Sequence, residues 1–325
     1  MANVQLIFGG GSFLNDISSP SIEDVKKALD KLYELGIKAI DTAVVYDKSE
    51  EFLGEAHASD RFTIGTKYPS GFGPEGSSKD GLLLSAEESL RKLQTNQLDI
   101  YYLHAPDRRT PLEGILEAVD TLYRAKKIKR FGISNFLVAE VEEWIRIAKE
   151  KGYVLPSVYQ GNYSAIARQA EVDLIPTLRK HNMSFYAYSP IAGGFLTKEV
   201  EQLQAGGHGR WDPKSLFGGL YNALYNKPAM LEGLRLWGKI SDESGIPKAQ
   251  LAYRWVVYHS ALKGELGDSI IFGASNVDQI TQTVDGVGCG PLPAEIAAQV
   301  EEVWKIVESV APVDNFNNAI TSQDP

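Results

Sequence analysis

The sequence predicts an α/β protein, a (β/α)8 barrel formed as a single domain over residues 1–325. Three observations predict it. Eight short apolar runs alternate with stretches of helical period, which is the pattern of a parallel sheet with crossover helices. The first run leads into Gly9-Gly10-Gly11-Ser12-Phe13-Leu14, which lacks the last glycine of G-x-G-x-x-G and is followed by Asn-Asp-Ile-Ser-Ser-Pro where a helix would be needed. A doubly wound dinucleotide fold is therefore set aside. Several runs also end on a polar, ionisable residue, and the C-terminal strand ends of a barrel converge on one mouth.

In chain order, Val4–Phe8 reads as the first strand. Ser21 is a helix N-cap with Asp24 three residues on, a short form of the capping box. Val25, Ala28, Leu29 and Leu32 give that helix its apolar stripe, and Gly36 stops it. Ile37–Asp41 is the second strand, followed by a short helix near 49–56. Phe62–Thr66 is the third strand and 79–93 a helix. Leu98–Leu103 is the fourth strand, and Pro111 opens a helix to about 126. Ile128–Ile133 runs into Ser134-Asn135 as the fifth strand, with a helix at 137–151. Ser157–Gln160 is the sixth strand, before a helix at 171–181, and Ser184–Tyr188 is the seventh. An insertion from about 197 to 227, rich in Gly, Asn and aromatics, is longer than an ordinary βα loop. Helices at 228–244 and 247–260 precede the eighth strand, Ser269–Phe272. Helices at 276–285 and 293–310 follow, and residues 314–325 are expected to be a loose tail.

The bulk numbers narrow the function. A chain with 43% hydrophobic and 23% charged residues is an ordinary globular one. Its net charge of −9 disfavours nucleic acid or an anionic membrane as the main partner. No apolar run reaches a membrane span, and no secretory signal is expected from the N-terminal residues. The single cysteine, Cys289, lies in a glycine-rich loop and fits a reducing, cytoplasmic setting better than a nucleophile.

Four polar residues stand in order at or just beyond strand ends: Asp41, Tyr46, Lys67 and His104. A free phenol has a pKa near 10, so alone it exchanges protons poorly at neutral pH. A neighbouring ammonium favours the phenolate, and a carboxylate keeps that amine charged and placed. An imidazole beside them can orient a substrate oxygen. The set suits proton exchange with an oxygen whose carbon gains or loses hydride. Taken singly, each has a plainer explanation: a turn former, a surface aromatic, a solvated lysine, a core histidine. Together, at successive strand ends, they make one site. Asp41 and His104 lack the companion ligands of a metal site, so no metal is expected, and neither G-x-S-x-G nor H-E-x-x-H occurs.

With these motifs in hand, the chain resembles the aldo-keto reductase superfamily over nearly its whole length. The resemblance is carried by Gly36–Tyr46, Thr66-Lys67, Leu98–His104, Gly132–Phe136, Tyr159–Tyr163 and Tyr188–Thr197. Its pattern is most similar to the aflatoxin-aldehyde/succinic-semialdehyde reductase branch. The resemblance implies a carbonyl reductase using NADPH, with NADH also admitted. Tyr46 would be the general acid, tuned by Lys67 and Asp41, with His104 orienting the carbonyl. It assigns Ser134, Asn135 and Gln160 to the nicotinamide carboxamide and Tyr188 to the ring beneath it. Ser189, Pro190, Ile191, Gly193, Gly194 and Leu196 would follow the pyrophosphate; Gly273, Ser275, Gln279 and Thr283, with Arg210, would surround the adenosine phosphate. Ala274 and Thr283 replace the lysine and asparagine that many relatives carry, which loosens the preference for NADPH.

His104, Trp211, Tyr221 and Leu224 are the substrate candidates, with Phe217 and Tyr225 beside them. Leu224 stands where the branch has a carboxylate-binding arginine, so a neutral, bulky aldehyde or ketone is expected. The resemblance also leaves open a homodimer, a dehydrogenase working in the oxidative direction, and an NADPH-binding regulatory subunit with negligible turnover.

Overall fold

The computed structural model describes residues 4–13, 20–206, 211–212 and 216–318, with the backbone alone at 216 and 217. Its strands are β1 (Gln5–Gly9), β2 (Ala39–Asp41), β3 (Thr63–Tyr68), β4 (Leu98–Leu103), β5 (Ile128–Ser134), β6 (Val158–Asn162), β7 (Ser184–Tyr188) and β8 (Ser269–Phe272). They close into a barrel in sequence order, every pair parallel. This is the expected (β/α)8 architecture.

Between the strands lie α1 (Ile22–Glu34), α2 (Ser49–Glu55), α3 (Lys79–Lys92), α4 (Leu112–Arg124), α5 (Val138–Lys151) and α6 (Leu174–Lys180). The capping box at α1 is formed: Ser21 Oγ accepts from the Asp24 amide at 3.2 Å, and the Asp24 carboxylate accepts from the Ser21 amide at 3.1 Å. Val25, Leu29 and Leu32 are fully buried, as the stripe requires.

The long connection after β7 is not an open loop over its described residues. It folds into α7 (Val200–Gln204) and α8 (Leu216–Tyr225), then α9 (Pro228–Ser244) and α10 (Lys248–Tyr258). Aromatic packing holds it: Trp211 stacks on Tyr221 at 5.6 Å, and Phe195 on Tyr225 at 5.5 Å. After β8 come α11 (Val277–Gly288), which ends three residues later than expected, and α12 (Ala294–Val307).

The expected loose tail needs correction over 314–318. Asp314 and Phe316 are buried, and the Asn315 amide donates to the Tyr188 hydroxyl at 3.1 Å. Asn317 Nδ2 donates to the Asn135 carbonyl at 3.0 Å. The polar composition suggested solvent, but these side chains satisfy backbone groups at the barrel mouth. Residues 319–325 lie outside the described residues.

Candidate active site

Register sets the site. Asp41 pairs with Gly65, and Lys67 follows two residues later on β3, so both side chains share the inward face. Lys67 in turn pairs with Tyr102, and Ser134 with Gln160. The strand ends surround a cleft of about 880 Å3 at the C-terminal mouth.

Lys67 Nζ donates to Asp41 Oδ2 at 2.6 Å and to the Thr42 carbonyl at 2.7 Å. The lysine is completely buried, with Asp41 nearly so. Burial lowers the ammonium's pKa from 10.5, and Asp41 opposes that shift as the nearest counter-charge. Nζ lies 5.1 Å from the Tyr46 ring centroid, and the Tyr46 and His104 rings meet edge-on at 5.8 Å. The tetrad expected from sequence is thus brought together, with Tyr46, His104 and Asp41 lining the cleft and Lys67 beneath them.

Burial, then the positive charge of Lys67, hold the His104 imidazole well below its ordinary pKa of 6.5. Its buried Nδ1 has no hydrogen-bond partner among the described residues. A neutral imidazole and a phenol beside a buried ammonium can together polarise and protonate a carbonyl oxygen.

Around them, the expected cofactor residues Ser134, Asn135, Gln160, Tyr188, Ser189, Pro190, Ile191, Gly193, Gly194, Gly273, Ser275, Gln279 and Thr283 all line the same cleft. Two do not fit in this way. Leu196 is fully buried in the core, and Arg210 lies outside the described residues. Of the substrate candidates, His104, Trp211 and Tyr221 line the cleft. Leu224 does not: it is 2% exposed, in the hydrophobic core. Its position on α8 turns it inward with Tyr225, three and four residues after Tyr221. The expectation that Leu224 meets substrate is therefore corrected. Tyr225 is likewise fully buried, and the Phe217 side chain is outside the described residues.

The residues also fit a nicotinamide dinucleotide. Asn135 Nδ2 donates to the His104 carbonyl at 2.9 Å and to Ser134 Oγ at 3.1 Å, while its Oδ1 accepts from the Tyr188 hydroxyl at 2.7 Å. Gln160 Nε2 donates to Asp41 Oδ1 at 2.8 Å. These bonds leave the Ser134 hydroxyl hydrogen and a lone pair on Asn135 Oδ1, a donor and an acceptor that complement a primary carboxamide, while the Gln160 side chain beside them also hydrogen-bonds Tyr102. On the next wall, Gly193 has φ +63°, and a Cβ there would lie 2.4 Å from Tyr221. Only glycine lets the backbone pass so close, as a phosphate-cradling segment needs.

Sequence reading missed Ser12, Phe72 and Asn315, which also line the cleft. Ser12 Oγ accepts from the Ala274 amide at 3.1 Å, joining the loops after β1 and β8. Phe72 packs edge-on against His104 at 4.9 Å and against Phe316 at 5.0 Å. The glycine run before Ser12 was a usable signal; nothing local marked Phe72 or Asn315.

A barrel whose mouth holds this set beside a dinucleotide-sized cleft defines a class, an oxidoreductase of the barrel type. The chain matches the Aldo/keto reductase family over residues 5–305 and belongs to it. It is 37% identical over 316 residues to "Oxidoreductase sirO" of Leptosphaeria maculans, covering 94% of this chain and 95% of the relative. Aldo-keto reductase family 7 member A3 of Homo sapiens is 35% identical over 295 residues, 86% of this chain and 88% of that one. Aflatoxin B1 aldehyde reductase member 4 of Homo sapiens is 34% identical over the same shares. Among the described residues, no helix is long and apolar enough to cross a membrane, and no cluster of three or more His, Cys, Asp or Glu could hold a metal ion.

Proposed function

We propose that this protein is an NADPH-dependent carbonyl reductase, with Tyr46 as the general acid and an aldehyde or ketone as substrate. The observation that carries the reading is the buried Lys67–Asp41 pair, 2.6 Å apart, beneath Tyr46 and beside a neutral His104. When bound, the nicotinamide supplies the hydride. Tyr46 passes its phenolic hydrogen to the carbonyl oxygen. The Lys67 ammonium offsets the charge left on the phenolate, and Asp41 keeps that ammonium in place. His104, neutral because it is buried, holds the carbonyl oxygen without competing for the proton. In the reverse direction the same groups serve alcohol oxidation.

Ser134 and Asn135 would hold the carboxamide through the hydrogen-bond capacity they retain, with Gln160 beside them. The Tyr188 ring is fixed by its hydroxyl, which bonds both Asn135 and Asn315. The segment Ser189–Gly194 would follow the pyrophosphate, and Ser275, Gln279, Thr283 and Arg210 the adenosine phosphate. Lys198 is the one cation among the described cleft-lining residues. That inventory, and no longer Leu224, supports neutral substrates over carboxylated ones, with Trp211, Tyr221 and Phe72 as apolar walls. NADPH preference over NADH, a cytoplasmic setting and a homodimer belong to the same reading.

A panel of aldehydes, ketones and alcohols with NADPH and NADH tests it. Steady NADPH oxidation with neutral aromatic aldehydes, faster than with acidic ones, is expected. Tight NADPH binding with no turnover on any member would favour a regulatory subunit instead.

A further inference from the structure

The barrel interior holds a polar file that the reaction above leaves without a role. Below the active site is a second, separate cavity of about 60 Å3. That exceeds the roughly 10–15 Å3 needed to admit a water. Of the residues lining the catalytic cleft, Asp41 alone also lines this cavity. The other polar walls include Asp99, Tyr102, Arg130 and Tyr186. Arg130 Nη2 donates to Asp99 Oδ2 at 2.6 Å, and its Nη1 donates to the Tyr186 hydroxyl at 3.2 Å. The Arg130 and Asp99 side chains are 36% and 19% exposed, so that end of the file meets solvent.

A barrel of this kind is ordinarily filled with layers of branched apolar side chains. Here Ile7, Ile100, Val158 and Ile271 share the interior with two tyrosines. Tyr102 is fitted closely: a Cβ at Gly132 would stand 2.3 Å from its ring. Lys67 Nζ lies 5.7 Å from the same ring. Burial, and then the Asp41 carboxylate, push the Tyr102 phenol well above its usual pKa. It therefore keeps its hydrogen at neutral pH, and can accept one proton while giving another.

We propose that water in this cavity, together with the Tyr102 and Tyr186 hydroxyls, forms a proton path from the N-terminal face of the barrel to Asp41, which resupplies Tyr46 through Lys67. The path matters because Lys67 is completely buried even with the cleft open, and substrate and cofactor would cover Tyr46 further. It rests on Tyr46 being the proton donor.

The steps balance. Tyr46 loses its O–H proton to the substrate oxygen. Lys67 gives an N–H proton to the phenolate. A cavity water protonates the Asp41 carboxylate, which passes that proton to Lys67. A proton from bulk water then replaces the lost one along Tyr186 and Tyr102. One proton enters from solvent, no electrons travel the path, and each hydroxyl ends as it began.

The test compares Tyr102→Phe, Tyr186→Phe and the double variant, which keep both rings and remove only hydroxyls. Turnover at saturating substrate is measured in H2O and D2O, and folding is checked by thermal unfolding. Each single variant should lower kcat about tenfold and change the solvent isotope effect, with NADPH affinity unchanged. Because the hydroxyls act in series, the double variant should lose no more than either single one. Wild-type kcat and isotope effects in the single variants, or losses that multiply to about a hundredfold in the double, overturn the path. Should one variant fail to fold, the other still decides. An active Tyr46→Phe enzyme would instead overturn the assignment of Tyr46, so the two failures are distinguishable.

Discussion

Replacing Asp41 with Asn tests the buried pair at its most informative point. Asp41 accepts two hydrogen bonds, from Lys67 at 2.6 Å and Gln160 at 2.8 Å. The asparagine oxygen can serve one of them, and the new NH2 then faces the other donor. Removing one partner of a buried ion pair costs about 3–5 kcal/mol. Lysine escapes part of that cost by giving up its proton, so about 3 kcal/mol of stability should be lost. Burial already lowers the Lys67 pKa against the pull of Asp41, and without the carboxylate it falls further. Between that folded value and the ordinary 10.5 the unfolded chain binds the extra proton, so the variant's stability should rise with pH across this window. A neutral lysine cannot offset a phenolate, and kcat should fall about a hundredfold. Urea unfolding over a pH series gives the stability, and NADPH oxidation with an aromatic aldehyde gives kcat. A variant within about twofold of wild type in kcat would refute the argument that the pair tunes Tyr46.

Other consequences follow from the same geometry. His104 has a folded pKa well below 6.5, so the unfolded chain binds more protons as pH drops under 6.5, and stability falls from there towards the folded value. His104→Gln should remove that part of the acid slope in urea unfolding; an unchanged slope contradicts a buried neutral imidazole. Gly193→Ala places a Cβ 2.4 Å from Tyr221 at φ +63° and should weaken NADPH binding about tenfold, read by quenching of protein fluorescence. Unaltered affinity would remove this segment from the cofactor site. Phe316→Ala takes away the ring that packs edge-on against Phe72; hydrogen exchange at 314–318 should quicken and KM for a bulky aldehyde rise several-fold, roughly 1 kcal/mol. Unchanged exchange would mean the segment is held by its polar bonds alone.

Much of the fold was legible because its signals are local. Apolar runs of four to six residues ended on Asp41, Lys67 and His104, and in a barrel strand ends meet whatever their separation in sequence. The capping box at Ser21 and the helical period after it needed only neighbouring residues. Long-range closure was not legible. Leu224 was expected from the resemblance to face substrate, yet helix α8 turns it into the core. The segment 314–318 reads as polar tail because its partners, Tyr188 and Asn135, are more than a hundred residues away. The inner file of Tyr102, Tyr186 and Arg130 was hidden for a similar reason: in single strands, such residues look like ordinary amphipathic fillers.

The most direct measurement is made on Tyr46→Phe, which keeps the ring and removes the phenolic hydrogen. NADPH affinity and single-turnover reduction of an aromatic aldehyde are measured on the same preparation. The account predicts cofactor binding like wild type, with reduction slowed by at least about a hundredfold. A variant that binds NADPH and reduces the aldehyde at close to the wild-type rate would contradict it.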